Sequence, residues 1–133
     1  MAKKVVIVGS GNAAMSAGIA ALDEGAEVVM LEKASDDLAG GNTKYTAGAM
    51  RFAYDNSEDL IPLLSDPKDE RISRTDFGSY SRQKFSDDLL AFNGGRALSS
   101  EQKTLVAESY EAVKWLASHG VTYEPIYSRQ SFE

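Results

Sequence analysis

Val5-Val6-Ile7-Val8-Gly9-Ser10-Gly11-Asn12-Ala13-Ala14 is the stretch on which the fold of this chain turns. Four apolar, β-branched residues in a row read as a strand of a parallel sheet, buried on both faces. Gly9 and Gly11 then make a tight turn that feeds directly into an alanine-rich helix. The N-terminus of such a helix carries partial positive charge and unpaired N–H groups, which is where a pyrophosphate sits.

Working outward, the spacing predicts a first helix over Asn12 to Glu24. Ala13, Ala14, Ala17, Ala20 and Ala21 give it high propensity and a thin profile. Small residues at Ala14 and Gly18 let it lie close to a sheet. Gly25 suits the position just past the helix end. Glu27 to Glu32 (Glu-Val-Val-Met-Leu-Glu) reads as a second strand, so strand, helix and strand make a right-handed βαβ unit with parallel strands.

Two motifs sit on this unit. The first is Gly9-x-Gly11-x-x-Ala14, with Gly18 beyond it and Glu32 closing the second strand about 20 positions on. Gly9 makes the turn, Gly11 lets backbone approach a pyrophosphate, and Glu32 accepts hydrogen bonds from the adenosine ribose hydroxyls. A carboxylate there repels a 2′-phosphate and disfavours NADP. The competing reading is an ordinary βαβ unit with an incidental glycine turn. The second motif is Gly40-Gly41-Asn42-Thr43-Lys44, followed by Ala47-Gly48-Ala49. It follows Glu32 closely, so it runs near the dinucleotide site, where small residues admit a flat ring or a phosphate. Asn42 and Thr43 add hydrogen-bonding side chains. The bland alternative is a flexible loop.

The remainder reads as helical. Ser57 caps a short helix through Leu64, and Pro67 with the charged run Asp66 to Asp76 ends it in a solvated connection. Ser81 to Phe92 carries Phe85, Leu89 and Phe92 at helical spacing and stops at Asn93-Gly94-Gly95. Ser99 and Gln102 form a capping box for a further helix, with Leu105, Val106, Tyr110, Val113 and Leu116 as its apolar face and Gly120 as its end. Val121 to Tyr127 is strand-like, and Pro125 favours an edge position. No third apolar strand of the Val5–Val8 kind follows, although a two-stranded parallel sheet cannot cover both its faces. A stretch taken from a longer enzyme is the expected explanation.

Bulk properties narrow the function. An apolar fraction of 43% is that of a globular protein, and a net charge of −6 argues against nucleic acid as a partner. With no cysteine and a single histidine, His119, disulfides, thiolate catalysis and Cys- or His-built metal sites are excluded. The apolar run after Lys3-Lys4 stops at Gly9, short of a signal-peptide core, and no stretch is long enough for a membrane span. A soluble, cytoplasmic protein is expected. His119 at a helix end suits the dipole. Trp115 and Tyr110 read as core or interface aromatics, and Asp87-Asp88 as a solvated helix face. Arg129 is either a surface arginine or a fork for a substrate carboxylate.

Taken together, the two glycine motifs resemble the FAD-binding domain of the fumarate reductase, succinate dehydrogenase and 3-ketosteroid dehydrogenase superfamily. Within it, the run from Gly40 through Ala49-Met50-Arg51-Phe52 is most similar to the tricarballylate dehydrogenase family. Ile126-Tyr127-Ser128-Arg129-Gln130-Ser131-Phe132 resembles that family at the start of its substrate-capping region. The resemblance runs along most of the chain and covers the N-terminal portion of such an enzyme. It implies an α/β fold, the Rossmann-like βαβ start of a parallel sheet, with residues 1–60 as the N-terminal part of the FAD-binding domain. Residues 61–133 would be a helical continuation and the start of a capping region.

By the same resemblance, Gly9, Ser10, Gly11, Asn12, Ala13 and Ala14 line the pyrophosphate, Glu32 holds the ribose, and Lys33 lies beside the adenosine half. Gly40, Gly41, Asn42, Thr43, Ala47 and Gly48 follow the pyrophosphate, ribityl and flavin portions. Ala14 in place of a third glycine and Ala49 in place of a glycine frequent in fumarate reductases are the visible departures. The implied reaction is hydride transfer between FAD and a polycarboxylate such as tricarballylate, with an unidentified electron acceptor. No residue here is a convincing catalytic acid or base, and the 133-residue stretch alone is expected to be inactive. A second reading is a non-catalytic dinucleotide-binding module completed by a partner chain.

Overall fold

The structure, a computed structural model, describes residues 2–127. Arg129 and its neighbours in the capping-region resemblance therefore lie outside the described residues. The chain divides into two compact units between Met50 and Arg51.

In the first unit, β1 (Lys4–Val8) and β2 (Glu27–Leu31) pair in parallel with α1 (Asn12–Asp23) between them in sequence. The register sets Val5 beside Val28, Val6 beside Val29, Ile7 beside Met30 and Val8 beside Leu31. The side-chain alternation of a strand then sorts these residues onto two faces. Val5, Ile7, Val28 and Met30 share one face. Gly18 of α1 packs against it, where an added Cβ would stand 3.4 Å from Ile7 Cδ1 and 3.7 Å from Met30 Sδ. A bulky residue there would push the helix off the sheet, as the small-residue spacing predicts.

The helix ends one residue earlier than expected. The Gly25 amide donates to Leu22 O at 2.9 Å and the Ala26 amide to Ala21 O at 3.0 Å, the paired bonds of a Schellman turn.

The other face corrects the expectation of burial on both sides. Val6 is 56% exposed, Val8 83% and Leu31 52%. One helix covers one face of a two-stranded sheet, and no described residue covers the other.

The second unit contains α2 (Ser57–Leu60), α3 (Arg82–Phe92) and α4 (Ser100–Ser118). The cap of the short helix is Asn56, not Ser57: the Asp59 carboxylate accepts from the Asp55 amide at 2.8 Å and from the Asn56 amide at 3.4 Å. It tightens into a 3-10 turn at Ile61–Leu63 well before Pro67, since Pro62 supplies no N–H for an α-helical bond. The charged connection is mostly exposed, yet it holds a 3-10 turn at Ile72–Arg74. Both later caps form as the sequence predicts. Ser81 accepts from the Lys84 amide at 3.2 Å, and Ser99 and Gln102 close a reciprocal box with bonds of 3.2 and 3.1 Å.

The core of this unit joins Ala53, Phe85 and Val106, with Tyr80 and Leu89 half-buried against them. Three expectations fail at its margin. Phe92 is 90% exposed and Leu105 49%, so neither belongs to the buried face. Val121 to Tyr127 forms no strand. A single parallel bridge joins Tyr123 to Leu64, in which the Ser65 amide donates to Tyr123 O at 2.9 Å. Pro125 lies two residues beyond that bridge and has no amide with which to continue a ladder.

Candidate functional site

The candidate site lies wholly in the first unit, where three segments converge: the Gly9–Asn12 turn, the end of β2, and the Gly40–Tyr45 loop. Gly9 opens the turn with φ +107°, a left-handed value that an L side chain rarely adopts. Its amide donates to Leu31 O at 2.7 Å, which carries the parallel ladder one step past β1. Gly11 is the N-cap of α1 and offers no side chain to the helix. The first-turn amides of Ala13 and Ala14 have no partner within the helix, which is how an α-helix N-terminus presents donors to an anion. No acidic residue occupies that first turn.

The loop that follows β2 is more ordered than a flexible connection. Gly40, at φ +101°, leads into a 3-10 turn over Gly41–Tyr45. Thr43 Oγ1 accepts from the Asn12 amide at 3.0 Å, so a residue 31 positions away takes the capping role that Gly11 lacks. A Cβ added at Gly11 would stand 3.4 Å from both Gly40 O and Thr43 Oγ1. The missing side chain at Gly11 thus lets the loop close on the turn. The ammonium of Lys44 donates to Asp37 O and ties the loop back on itself. Past the 3-10 turn, Thr46 donates to Thr43 O at 3.0 Å and accepts from the Gly48 amide at 3.4 Å. Between them Ala47 holds φ +55°, the one non-glycine residue with positive φ among the described residues.

Glu32 stands just past β2 and is exposed. Ser10 donates its hydroxyl to Glu32 Oε2 at 2.5 Å, and the Ala34 amide donates to Glu32 Oε1 at 2.9 Å. Ser10 Oγ also accepts from the Gly40 amide at 2.9 Å. The Ser10 hydroxyl, followed by the Ala34 amide, holds the Glu32 carboxyl below its ordinary range, so it carries its charge at neutral pH.

The structure therefore brings Gly9, Ser10, Gly11, Asn12, Glu32, Gly40 and Thr43 together: Ser10 bonds to Glu32 and Gly40, Asn12 bonds to Thr43, and Gly9 and Gly11 shape the turn that carries them. Ala13 and Ala14 follow on α1, and Gly41 and Asn42 lie in the 3-10 turn. Ala47 and Gly48 are exposed beside this set and are not bonded into it, while the exposed Lys33 bears on Glu32 through its backbone amide alone. The arrangement suits an adenine dinucleotide: the Ala13 and Ala14 amides for phosphate, the Glu32 carboxylate as acceptor for a diol, and a turn with no side chain at Gly9 or Gly11.

Two features escaped the sequence reading. The motif alone marks the hydroxyl between the glycines as lining, whereas Ser10 reaches the acid just past the next strand. In the second unit, Asp88 does not sit on a merely solvated face. It accepts from Tyr80 Oη at 2.6 Å and from Arg51 Nη1 at 3.2 Å, while Asp87 accepts from Gln83 at 2.8 Å. Burial is the largest influence raising the Tyr80 phenol, with the Asp88 bond second. His119 keeps the modest role expected of it: it caps α4, with Nδ1 2.8 Å from Trp115 O and its ring 4.3 Å from that of Trp115.

An open cleft of about 630 Å³ in the second unit is lined by Asp66, Asp69, Arg71, Glu124 and Tyr127, among others. Arg71 is held there by a fork to Asp69, Nε donating to Oδ1 at 3.0 Å and Nη2 to Oδ2 at 2.6 Å, and lies 4.2 Å from the Tyr127 ring centre. Among the described residues no group of His, Cys, Asp and Glu could hold a metal ion, and no helix is long and apolar enough to cross a membrane.

Comparison with known proteins gives a consistent answer. The chain matches the FAD binding domain family over residues 4–130. It is 30% identical over 118 residues to a fumarate reductase (cytochrome) of Shewanella frigidimarina, covering 87% of this chain and 17% of that one. It is 30% identical over 120 residues to the digoxin reductase of Eggerthella lenta, covering 90% of this chain and 19% of that protein. It is also 31% identical over 124 residues to the NADH:fumarate oxidoreductase of Klebsiella pneumoniae, covering 92% and 11% respectively. The chain thus spans less than a fifth of the length of these curated relatives.

Proposed function

The chain belongs to the FAD binding domain family, with FAD as its cofactor, and on that premise we propose that it forms the N-terminal part of a flavin-dependent oxidoreductase. When bound, FAD supplies hydride-level redox chemistry, while the protein supplies position and electrostatics. In this proposal Gly9, Ser10, Gly11, Asn12, Ala13 and Ala14 line the pyrophosphate, with the first-turn amides of Ala13 and Ala14 as its donors, since the Gly9 and Asn12 amides are held by Leu31 and Thr43. Glu32 accepts from the ribose hydroxyls, and Lys33 flanks the adenosine. Gly40, Gly41, Asn42, Thr43, Ala47 and Gly48 run along the rest of the cofactor. Residues 1–60 then belong to the FAD-binding domain, and residues 61–133 continue it toward a substrate-capping region in which Arg129 meets a carboxylate.

The observation that carries the reading is the closure of the glycine loop on the α1 N-terminus through Thr43, beside a charged Glu32. Supporting the substrate class are the resemblance of Gly40–Phe52 to tricarballylate dehydrogenases and the fumarate named in two of the relatives. We take the substrate to be a small polycarboxylate such as tricarballylate, with a separate electron acceptor. The cytoplasm is the proposed compartment, in keeping with a chain without cysteine.

The test is spectroscopic. The protein in its full encoded length should purify yellow and release FAD on denaturation. A colourless protein that binds NAD overturns the cofactor role of these residues. Anaerobic addition of tricarballylate should bleach the flavin. Bleaching by no polycarboxylate, with FAD retained, overturns the substrate and leaves the cofactor assignment standing.

A further inference from the structure

A serine hydroxyl has one proton to donate and two lone pairs to accept with. In Ser10 the proton goes to Glu32 Oε2 at 2.5 Å, and one lone pair takes the Gly40 amide at 2.9 Å. Residues 22 and 30 positions away thereby meet at a single oxygen. The first distance lies in the short range typical of a hydroxyl donating to a carboxylate, and a chain of such bonds polarises cooperatively. Ala34 fixes the other carboxylate oxygen at 2.9 Å. Each oxygen of Glu32 thus accepts one close protein donor, with the Lys33 and Ser10 amides as lesser influences, and a carboxylate has about four lone-pair sites, which leaves room for a vicinal diol.

We propose that Ser10 is a positioning residue that sets the Glu32 carboxylate and the Gly40 loop as one unit, orienting the acid toward an adenosine ribose. This rests on the dinucleotide reading above, and it goes further: Ser10 acts through Glu32 and Gly40, not merely as part of a phosphate-lining turn. Without it, an exposed glutamate past a strand end samples many rotamers, and the Gly40 amide loses its acceptor.

The groups that bear on Glu32 also make the proposal testable. They are, in order, the Ser10 hydroxyl, the Ala34 amide, an opposing desolvation, and the Lys33 and Ser10 amides; no charged side chain is among them. Removing the hydroxyl therefore lets the carboxyl rise toward its ordinary range. The sign follows directly. An acid held low stays ionised as pH falls, so ribose binding through Glu32 persists to lower pH in the native protein than in Ser10→Ala.

The primary experiment is a ¹³C titration of the Glu32 side-chain carboxyl in flavin-free protein, native against Ser10→Ala. An upward shift in the variant, reversed in Ser10→Thr, is expected. An unmoved titration overturns the proposal whatever happens to flavin. The second experiment follows FAD affinity from neutral pH down to the acid limit of folding, read by circular dichroism. Ser10→Ala should weaken FAD binding about tenfold at neutral pH and move the acid limb upward. Glu32→Gln should abolish the limb. A uniform weakening with the limb in place assigns Ser10 a merely structural part and overturns the proposal. Native protein that retains no FAD, but whose Glu32 titration still depends on Ser10, overturns the dinucleotide reading and leaves the positioning of the acid intact.

Discussion

Residues 2–50 are joined across the sequence by hydroxyls, whereas residues 51–127 are joined by a small apolar core. In the first unit Ser10 and Thr43 tie turn, strand end and loop through bonds on largely exposed atoms, and its sheet is covered on one face only. In the second, Phe85 is 3% exposed, Val106 6% and Ala53 5%. Polar links there are set against that core, and one of them is itself buried: Ser109 Oγ accepts from the Ala53 amide at 3.0 Å. Apolar burial is non-directional and holds elements together, while hydrogen bonds hold particular atoms in particular places. A unit organised for binding uses the second means, and a unit organised for packing uses the first.

The sharpest way to break this contrast is Phe85→Ala. Truncating the centre of the second core should destabilise that unit by about 3 kcal/mol. Hydrogen exchange should speed in α3 and α4 and leave β1 and β2 unchanged. Equal acceleration in both units would make them one cooperative body and end the comparison. Gly18→Leu is the counterpart in the first unit. Its side chain meets Ile7 and Met30, and overpacking should cost about 2 kcal/mol, read as faster exchange in α1 and the sheet. An unchanged exchange pattern would show that α1 does not depend on close approach to the strands. The smallest effect belongs to Thr43→Val, which keeps the volume and removes the acceptor for the Asn12 amide. A loss of about 1 kcal/mol, confined to the loop and the first turn of α1, is expected from the loss of a cap. A loss spread through the whole unit would mean that the hydroxyl does more than position the loop.

Much of this was legible in the sequence, and unevenly so. Strand, glycine turn, alanine helix and second strand emerged from local pattern, because β-branched runs and small residues act on their own neighbours. Caps at Ser81 and Ser99 were legible for the same reason, being contacts three residues apart. What stayed hidden were pairings across 20 residues or more, such as Ser10 with Glu32, Thr43 with Asn12 and Asp88 with Arg51. Periodicity also overstated burial. Phe92 and Leu105 have the right spacing, but a helix face is buried only where another element reaches it, and none does at those positions among the described residues. The candidate site residues were nameable from motif. Their geometry was not, because a motif marks positions along the chain without specifying which side chains meet or which way a hydroxyl donates.

Ala47 carries a separate consequence. Its left-handed backbone costs an alanine about 1 kcal/mol relative to glycine. The turn is drawn between Thr46 and Gly48 all the same, with the Thr46 hydroxyl bonded on both sides. For protein engineering this is a place where one substitution changes several things at once. Ala47→Gly relieves the strain of the turn and frees its backbone as it removes the methyl group, so its effect on flavin binding is the balance of the three.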